Sequence, residues 1–281
     1  MTNERISILG CGWLGMPLAR LLIEKGCRIK GSSTREENLE TLRDAGIEPF
    51  RIILDPHMQG DGPGFLDSDI LIVNIPPERR DDIVEYHVLQ ISSLIDALAA
   101  SPVKKVLFVS STSVYPSCNR EVAEDDAVDP ESATGQALLH VEEMLQAETG
   151  FQTTVVRFCG LIGYDRNPAR YLHRMHELAD PEQPMNLIHR DDCIAILAEI
   201  IRQDAWGEVF NACSCKHPLR KEFYGAAAEY HGMTVPPPAS AATPPSYKII
   251  NSDKLLEKLD YRFLHPDPLQ TAKEPAGGEQ G

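Results

Sequence analysis

Nowhere in the 281 residues is there an apolar run of the ~18 to 20 residues that a membrane-spanning helix needs, so insertion into a bilayer is not expected. The opening Met1-Thr2-Asn3-Glu4-Arg5 leads straight into a short apolar segment and lacks the pattern of a secretion signal, which predicts a cytoplasmic location. Positive charge is scarce: 27 Lys and Arg stand against 42 Asp and Glu, a formal net charge of -15. At a pI near 5.0 the long-range field repels phosphate backbones and anionic lipid, so neither nucleic acid nor a membrane surface is an expected partner. Cysteine occurs only at 11, 27, 118, 159, 193, 213 and 215, without a C-x-x-C pair. That scatter predicts free thiols, no disulfide framework and no metal site; Cys213, Cys215 and His217 read as a strand end with ordinary thiols.

What the chain does have is alternation of short apolar runs with helical periodicity. Strands are predicted at 5–9, 27–32, 50–54, 70–74, 106–109 and 154–157, with helices at 17–25, 38–44, 81–100 and 135–149 between them. Near-continuous apolar strands belong in a parallel sheet covered on both faces, so the expected fold is α/β, a Rossmann-type doubly wound sheet with a smaller C-terminal cap region. The expected division is a dinucleotide-binding domain over 1–160, its sheet completed by later segments, and a substrate or cap region over 161–268. The latter includes a helix at 191–203 and a proline-rich connection at 235–245. Residues 269–281 have little to bury and are expected to form a flexible tail.

Between the first strand and the first helix lies Gly10-Cys11-Gly12-Trp13-Leu14-Gly15. In that context G-x-G-x-x-G has a physical meaning: Gly10 allows the tight turn, Gly12 lets the backbone approach a pyrophosphate, and Gly15 lets the helix pack on the sheet. Trp13 and Leu14 complete the turn, and helix-terminal amides face the phosphate charge. At the end of the second strand, where an Asp or Glu would bind the ribose hydroxyls of NAD(H), the chain has Ser32, Ser33, Thr34 and Arg35. Hydroxyls and a guanidinium suit a 2′-phosphate, so NADP(H) is expected over NAD(H). Thr34 with Glu37 also reads as a capping box for the next helix. Pro76 and Arg79, after the fourth strand, fall where ligands collect at the carboxyl edge of such a sheet. Arg79 or Arg80 is then a candidate for a phosphate or a substrate carboxylate, with a basic corner offset by Asp81 and Asp82 as the plainer reading.

Several stretches, in order, resemble the extended short-chain dehydrogenases/reductases, the NAD-dependent epimerase/dehydratase superfamily. They are the glycine turn, Ser110-Ser111-Thr112-Ser113-Val114-Tyr115, Arg157 with Gly160 and Gly163, Leu187-Ile188-His189-Arg190-Asp191-Asp192, Val209-Phe210-Asn211, and Asn251-Ser252-Asp253-Lys254. Gly-Cys-Gly-Trp-Leu-Gly-Met-Pro-Leu at 10–18 and Tyr-Arg-Phe-Leu-His-Pro-Asp-Pro-Leu at 261–269 look closest to the bacterial YeeZ-like branch. The resemblance implies cofactor contact at Ser110, an orienting hydroxyl at Ser111 and substrate contacts at Tyr164 and Arg166. It also implies a homodimer.

In that family a Tyr and a Lys four residues later share a helix, and the ammonium favours the phenolate that moves the proton. The matching positions here are Thr134 and Leu138 in Thr-Gly-Gln-Ala-Leu-Leu-His-Val-Glu. No shift of register restores the pair, because residues 116–163 contain neither Tyr nor Lys. Tyr115 and His140 are the alternative acids, the plainer readings being a structural or substrate-pocket residue for Tyr115 and a surface or packing residue for His140. Two readings stay open: a reductase or related oxidoreductase acting on a small polar metabolite through Ser111 and a non-standard acid, or a non-catalytic NADP(H)-binding sensor or regulator that answers to an effector.

Overall fold

Apolar residues that recur every second position, or run unbroken for four or five, set the strands, and glycines or capping hydroxyls set where helices begin and end. The computed structural model describes residues 3–239 and 246–274. Residues 240–245 of the proline-rich connection and 275–281 of the expected tail lie outside the described residues. The first half runs β1 (Arg5–Leu9), α1 (Gly15–Glu24), β2 (Arg28–Ser33), α2 (Asn38–Asp44), β3 (Glu48–Arg51), β4 (Ile53–Asp55), β5 (His57–Gln59), α3 (Gly62–Leu66), β6 (Ile70–Val73), α4 (Ile83–Ala99) and β7 (Lys105–Ser111). Then follow β8 (Arg120–Val122), α5 (Ala133–Ala147), β9 (Gln152–Phe158), β10 (Gly160–Ile162), β11 (Leu187–His189), α6 (Arg190–Gln203) and β12 (Val209–Ala212). The chain continues through α7 (Arg220–His231), β13 (Lys248–Ile250), α8 (Asp253–Leu259) and α9 (Pro268–Thr271).

Seven strands form the central sheet in the order β12-β9-β7-β6-β1-β2-β3, with β1 pairing parallel to both β2 and β6. Every residue of β6 is buried, as an inner strand with helices on both faces requires. Strand order reverses between β1 and β6, and this reversal is where ligands bind in doubly wound sheets. The chain forms two compact units. The first comprises 1–114, 127–157 and 194–210; the second comprises 115–126, 158–193 and 211–281. Parallel pairs β10–β11 and β13–β8 belong to the second unit, with a core that includes Leu178, Leu187, Phe223 and Ala227. Among the described residues no helix is long and apolar enough to cross a membrane.

Three expectations are corrected. The strand foreseen at 50–54 is broken: Ile52 still bonds to the Ser33 carbonyl, but Ile53 onward leaves the sheet to pair antiparallel with β5. The tail foreseen from 269 is packed at its start. Asp267 caps α9 at the Leu269 N–H, Thr271 and Ala272 are buried, and the Asn167 side chain donates to the Thr271 and Glu274 carbonyls. Cys159 and Cys213, foreseen as thiols, are joined as a disulfide. They follow the neighbouring strands β9 and β12, which set their Cα atoms 5.2 Å apart.

One buried ion pair ties the first unit together. Glu142 on α5 is 1% exposed and Arg157 on β9 is 4% exposed. The guanidinium donates to both carboxylate oxygens, with Nη2 2.6 Å from Oε2, and Ser110 on β7 donates its hydroxyl to Oε1. Two buried charges are tolerable only when paired and hydrogen-bonded, so α5 cannot move relative to β7 and β9 without exposing one of them to an apolar core. Glu142→Ala is expected to lower stability to urea by about 3–5 kcal/mol, and Glu142→Met with Arg157→Leu to recover most of it. A loss within the ~1 kcal/mol of an exposed pair would refute this role.

Candidate functional site

The turn after β1 is built by close approaches that only small residues allow. Gly10 has φ +99°, and a Cβ there would strike the Asn74 carbonyl; a Cβ on Gly15 would strike the Gly10 carbonyl. The Asn74 amide donates to the Gly10 carbonyl at 2.9 Å, and the Gly10 N–H donates to the buried Ser32 hydroxyl at 3.0 Å. Cys11 N–H bonds to the Ser32 carbonyl at 2.9 Å. β1, β2 and β6 are thereby clamped at the switch point. Gly12 differs from its neighbours: a Cβ there meets nothing within 4 Å. No side chain caps α1 at Leu14 and its first turn holds no acidic residue; the Met16 N–H bonds to the Gly12 carbonyl at 3.0 Å and Pro17 has no N–H. Burial pushes the Cys11 thiol up to about 12, which keeps it protonated beside the turn.

Past β2, the Ser33 hydroxyl accepts from the Arg35 N–H and from the Asn38 side chain, each at 3.1 Å. These bonds organise the bend, and α2 starts only at Asn38, with Glu37 at its N-cap and no side-chain cap bond. The foreseen Thr34–Glu37 capping box therefore does not form. Thr34 and Arg35 are exposed, and Arg35 makes no ion pair among the described residues. Beyond β6, Pro76 and Arg79 are exposed, whereas Arg80 is held by Asp82 at 2.5 Å and lies over the Tyr86 ring. Of the two arginines, Arg79 is the one left available.

Ser111 ends β7 half-buried, its hydroxyl oxygen accepting from the Ser113 N–H at 3.2 Å. That leaves its O–H to donate. The adjacent Ser110 hydroxyl is engaged with Glu142. On α5, Thr134 is exposed in the first turn, Leu138 is buried and His140 is exposed. Gly135 brings that first turn against the Ser113 carbonyl, where a Cβ would collide. Tyr115, in the second unit, is 1% exposed and donates its hydroxyl to Asn211 Oδ1 at 2.6 Å.

The second unit gathers a cluster that no sequence spacing announces. His189, buried at the end of β11, stacks on His265, with ring centroids 3.8 Å apart and planes at 30°. The Asp191 carboxylate lies 3.2 Å from His265 Nε2 and 3.4 Å from His189 Nδ1, and accepts from the Tyr164 hydroxyl at 2.9 Å. Glu274 Oε2 is 3.7 Å from His189 Nε2. Arg190 lies over the Tyr164 ring, and Arg166 bonds through its N–H to the Gly163 carbonyl. Burial pulls His189 down to about 4, helped by His265, while the bond to Asp191 raises His265. Burial opposes the charge on Asp191, but His265, His189 and Tyr164 together hold its carboxyl below the usual range. One ligand atom each from His189, His265 and Glu274 lies within 4.8 Å of the others, although no metal site was foreseen. The neighbouring Asp192 accepts from Tyr261 Oη and from the N–H groups of Leu264 and His265, fixing the segment that carries His265.

Asn74, Glu142 and His265 were not foreseen as site residues, and Ser32, expected with Ser33 to Arg35 at the 2′-phosphate, has its hydroxyl on the Gly10 N–H. The signal for Glu142 and Arg157 was present, since both stand in matched motifs, but their pairing requires β9 to lie beside β7. Asn74 carries no signal beyond ending a strand next to the glycine turn.

The model of the NAD dependent epimerase/dehydratase family matches residues 74–213. Protein YeeZ of Escherichia coli (strain K12) is 29% identical over 269 residues, covering 95% of this chain and 98% of the relative. A functionally unknown conserved protein from Silicibacter pomeroyi has a structure similar to this one at TM-score 0.75 and 25% identity, covering 96% of this chain and 97% of the other. A short-chain dehydrogenase/reductase superfamily protein from Agrobacterium tumefaciens, with bound NAD, shares the fold at TM-score 0.78 and 19% identity, covering 97% and 96%. The doubly wound sheet, the clamped glycine turn and this similarity over nearly the whole chain support an extended short-chain dehydrogenase/reductase, similar to the NAD-dependent epimerase/dehydratase family over residues 74–213 and to YeeZ over most of its length.

Proposed function

We propose that the protein binds a nicotinamide dinucleotide on the β1–α1 turn, with NADP(H) preferred, and works as an oxidoreductase on a small polar metabolite. The observation that carries the binding is the contrast among the three glycines. Gly10 and Gly15 are filled against Asn74 and the turn's own backbone, while Gly12 faces open space at the start of α1, which no side chain caps. That is the room and the polarity a pyrophosphate needs. Arg35 and Thr34, exposed after β2 with no carboxylate at the strand end, suit the 2′-phosphate that distinguishes NADP(H). Arg79 is the available cation on the β6 side for a phosphate or a substrate carboxylate.

When bound, the dinucleotide supplies or takes up a hydride at its nicotinamide ring. For the reaction itself the chain offers the Ser111 hydroxyl, whose remaining donor can hold a substrate oxygen while the Ser113 N–H fixes its lone pair. The proton-moving pair of the family is replaced by Thr134 and Leu138. A threonine hydroxyl does not ionise near neutral pH and leucine brings no charge, so a different acid, or solvent, must move the proton. The burial of Leu138 favours a second reading, a dinucleotide-binding sensor without turnover, because the side chain at the lysine position is part of the core.

Calorimetric titration of NADPH, NADP⁺, NADH and NAD⁺ separates cofactor preference from chemistry, with NADPH expected to bind tightest. Gly12→Val is expected to abolish binding with little change in Tm, since its side chain enters open space rather than the fold; wild-type affinity in this variant would refute the placement. Arg35→Ala is expected to weaken NADPH about ten- to a hundredfold, the 1.5–3 kcal/mol of a charge-assisted bond, and NADH hardly at all. An equal loss for both would refute the 2′-phosphate assignment. NADPH oxidation over a panel of carbonyl, imine and nucleotide-sugar compounds then decides between the readings. A rate that falls with Ser111→Ala supports an oxidoreductase, and background rates with intact binding support the sensor.

A further inference from the structure

We infer that the second unit closes on a proton: His265, protonated and seated between the Asp191 carboxylate and the neutral His189 ring, fastens residues 264–274 to the end of β11, and losing that proton loosens the segment. The tautomer of His189 follows from its surroundings. The Asp191 N–H donates to His189 Nδ1 at 3.2 Å, so that nitrogen offers its lone pair to the backbone and the ring's hydrogen sits on Nε2. With 3% of its surface exposed, the His189 ring is held neutral. His265 stacks on it with centroids 3.8 Å apart and planes at 30°. Two imidazolium charges so close repel, so the pair carries at most one proton. His265 takes it, because its Nε2 lies 3.2 Å from Asp191 Oδ2. The lone pairs of the stacked rings do not converge on a common point, so the cluster is built for a proton and not for a shared cation.

The charges around the two rings come from several stretches of chain. At the start of α6, Asp191 bonds to the His265 ring and Asp192 accepts from its backbone N–H, while Arg190 lies over the Tyr164 ring. Tyr164 donates its hydroxyl to Asp191, and Glu274, on the fastened segment itself, places Oε2 3.7 Å from His189 Nε2. Lys216 is taken up by Asp267 at 2.7 Å. The bond to Asp191, with the fields of Asp192 and Glu274, raises His265 against the opposing effect of burial. His189 behaves oppositely: burial takes it down to about 4, and His265 and Arg190 add to the effect. Because its folded value is raised, the contribution of His265 is complete below the ordinary 6.5 and disappears as pH climbs through the raised value. Because its folded value is lowered, the contribution of His189 is complete above 6.5 and disappears as pH falls toward 4. The segment is therefore held most tightly near pH 6.5 and loosens on either side.

Hydrogen exchange of the full-length chain, corrected for the intrinsic pH dependence of amide exchange, reads the effect at peptides spanning 264–274, with peptides of β6 as the internal reference. Protection at 264–274 relative to β6 is expected to peak near pH 6.5 and to fall about ten- to a hundredfold by about pH 9, as loss of a charge-assisted hydrogen bond implies. In the wild-type protein the His265 ring NMR signal should titrate above 6.5, and that of His189 only near 4. His265→Gln keeps a hydrogen-bond donor without a titratable charge and is expected to flatten the alkaline arm, whereas Asp191→Asn moves it to lower pH. Lys216→Ala should leave the profile unchanged. Flat protection of 264–274 from pH 6.5 to about 9 in the wild type overturns the inference, as does a loss that β6 shares equally. A His265 signal that titrates below 6.5, or an alkaline arm that persists in His265→Gln, overturns it as well.

Discussion

The pairing of Glu142 with Arg157 is the constraint on which the first unit depends. A carboxylate and a guanidinium, each almost wholly removed from water, are stable there only together. Their bond joins α5 to β9, and through Ser110 to β7. Ser111, one residue past Ser110, and Thr134 and Leu138, two turns and one turn before Glu142, are therefore held in fixed register. The family's Tyr and Lys positions are thus kept in place although neither residue type occupies them. The helix is locked in place with Thr134 and Leu138 at the positions where the resemblance expects Tyr and Lys.

The glycine turn obeys a related economy of space. Strand ends at a switch point must approach closely, so the atoms between them are backbone or short polar side chains, here Gly10, Gly15, Ser32 and Asn74. What remains open after that packing is the direction from Gly12. The three glycines of one motif differ: two are required by the packing of the fold, and the third has open space in front of it. Because the Gly10 and Cys11 amides bond to Ser32 and the Asn74 amide bonds to Gly10, the turn is shaped before any ligand arrives.

The second unit reaches order by other means. Its strands are short and its core small, and much of its definition comes from side chains that bind backbone, Asp192 on 264–265 and Asn167 on 271–274. These bonds carry His265 and Glu274 to His189. They also explain why residues 269–274 are packed despite a composition poor in apolar groups: an amide and a carboxylate hold the chain where hydrophobic burial is thin.

Periodicity and local punctuation determined the parallel sheet, the positions of α2, α4, α5 and α6 to within a few residues, and the glycine turn, because these depend on neighbours within a few residues along the chain. That Thr134 and Leu138 stand where the resemblance expects Tyr and Lys was read from the sequence alone, since a residue type needs no coordinates. Other features depended on which distant segments meet. Ile53 leaves the sheet for a hairpin, Ser33 rather than Thr34 organises the bend before α2, and Cys159 joins Cys213 because β9 and β12 are neighbours. His189, Asp191, His265 and Glu274 converge for the same kind of reason. Local sequence sets backbone preference and hydrophobic pattern; convergence of polar side chains from separate segments is decided by strand order and buried hydrogen bonds, which exist only once the chain has folded.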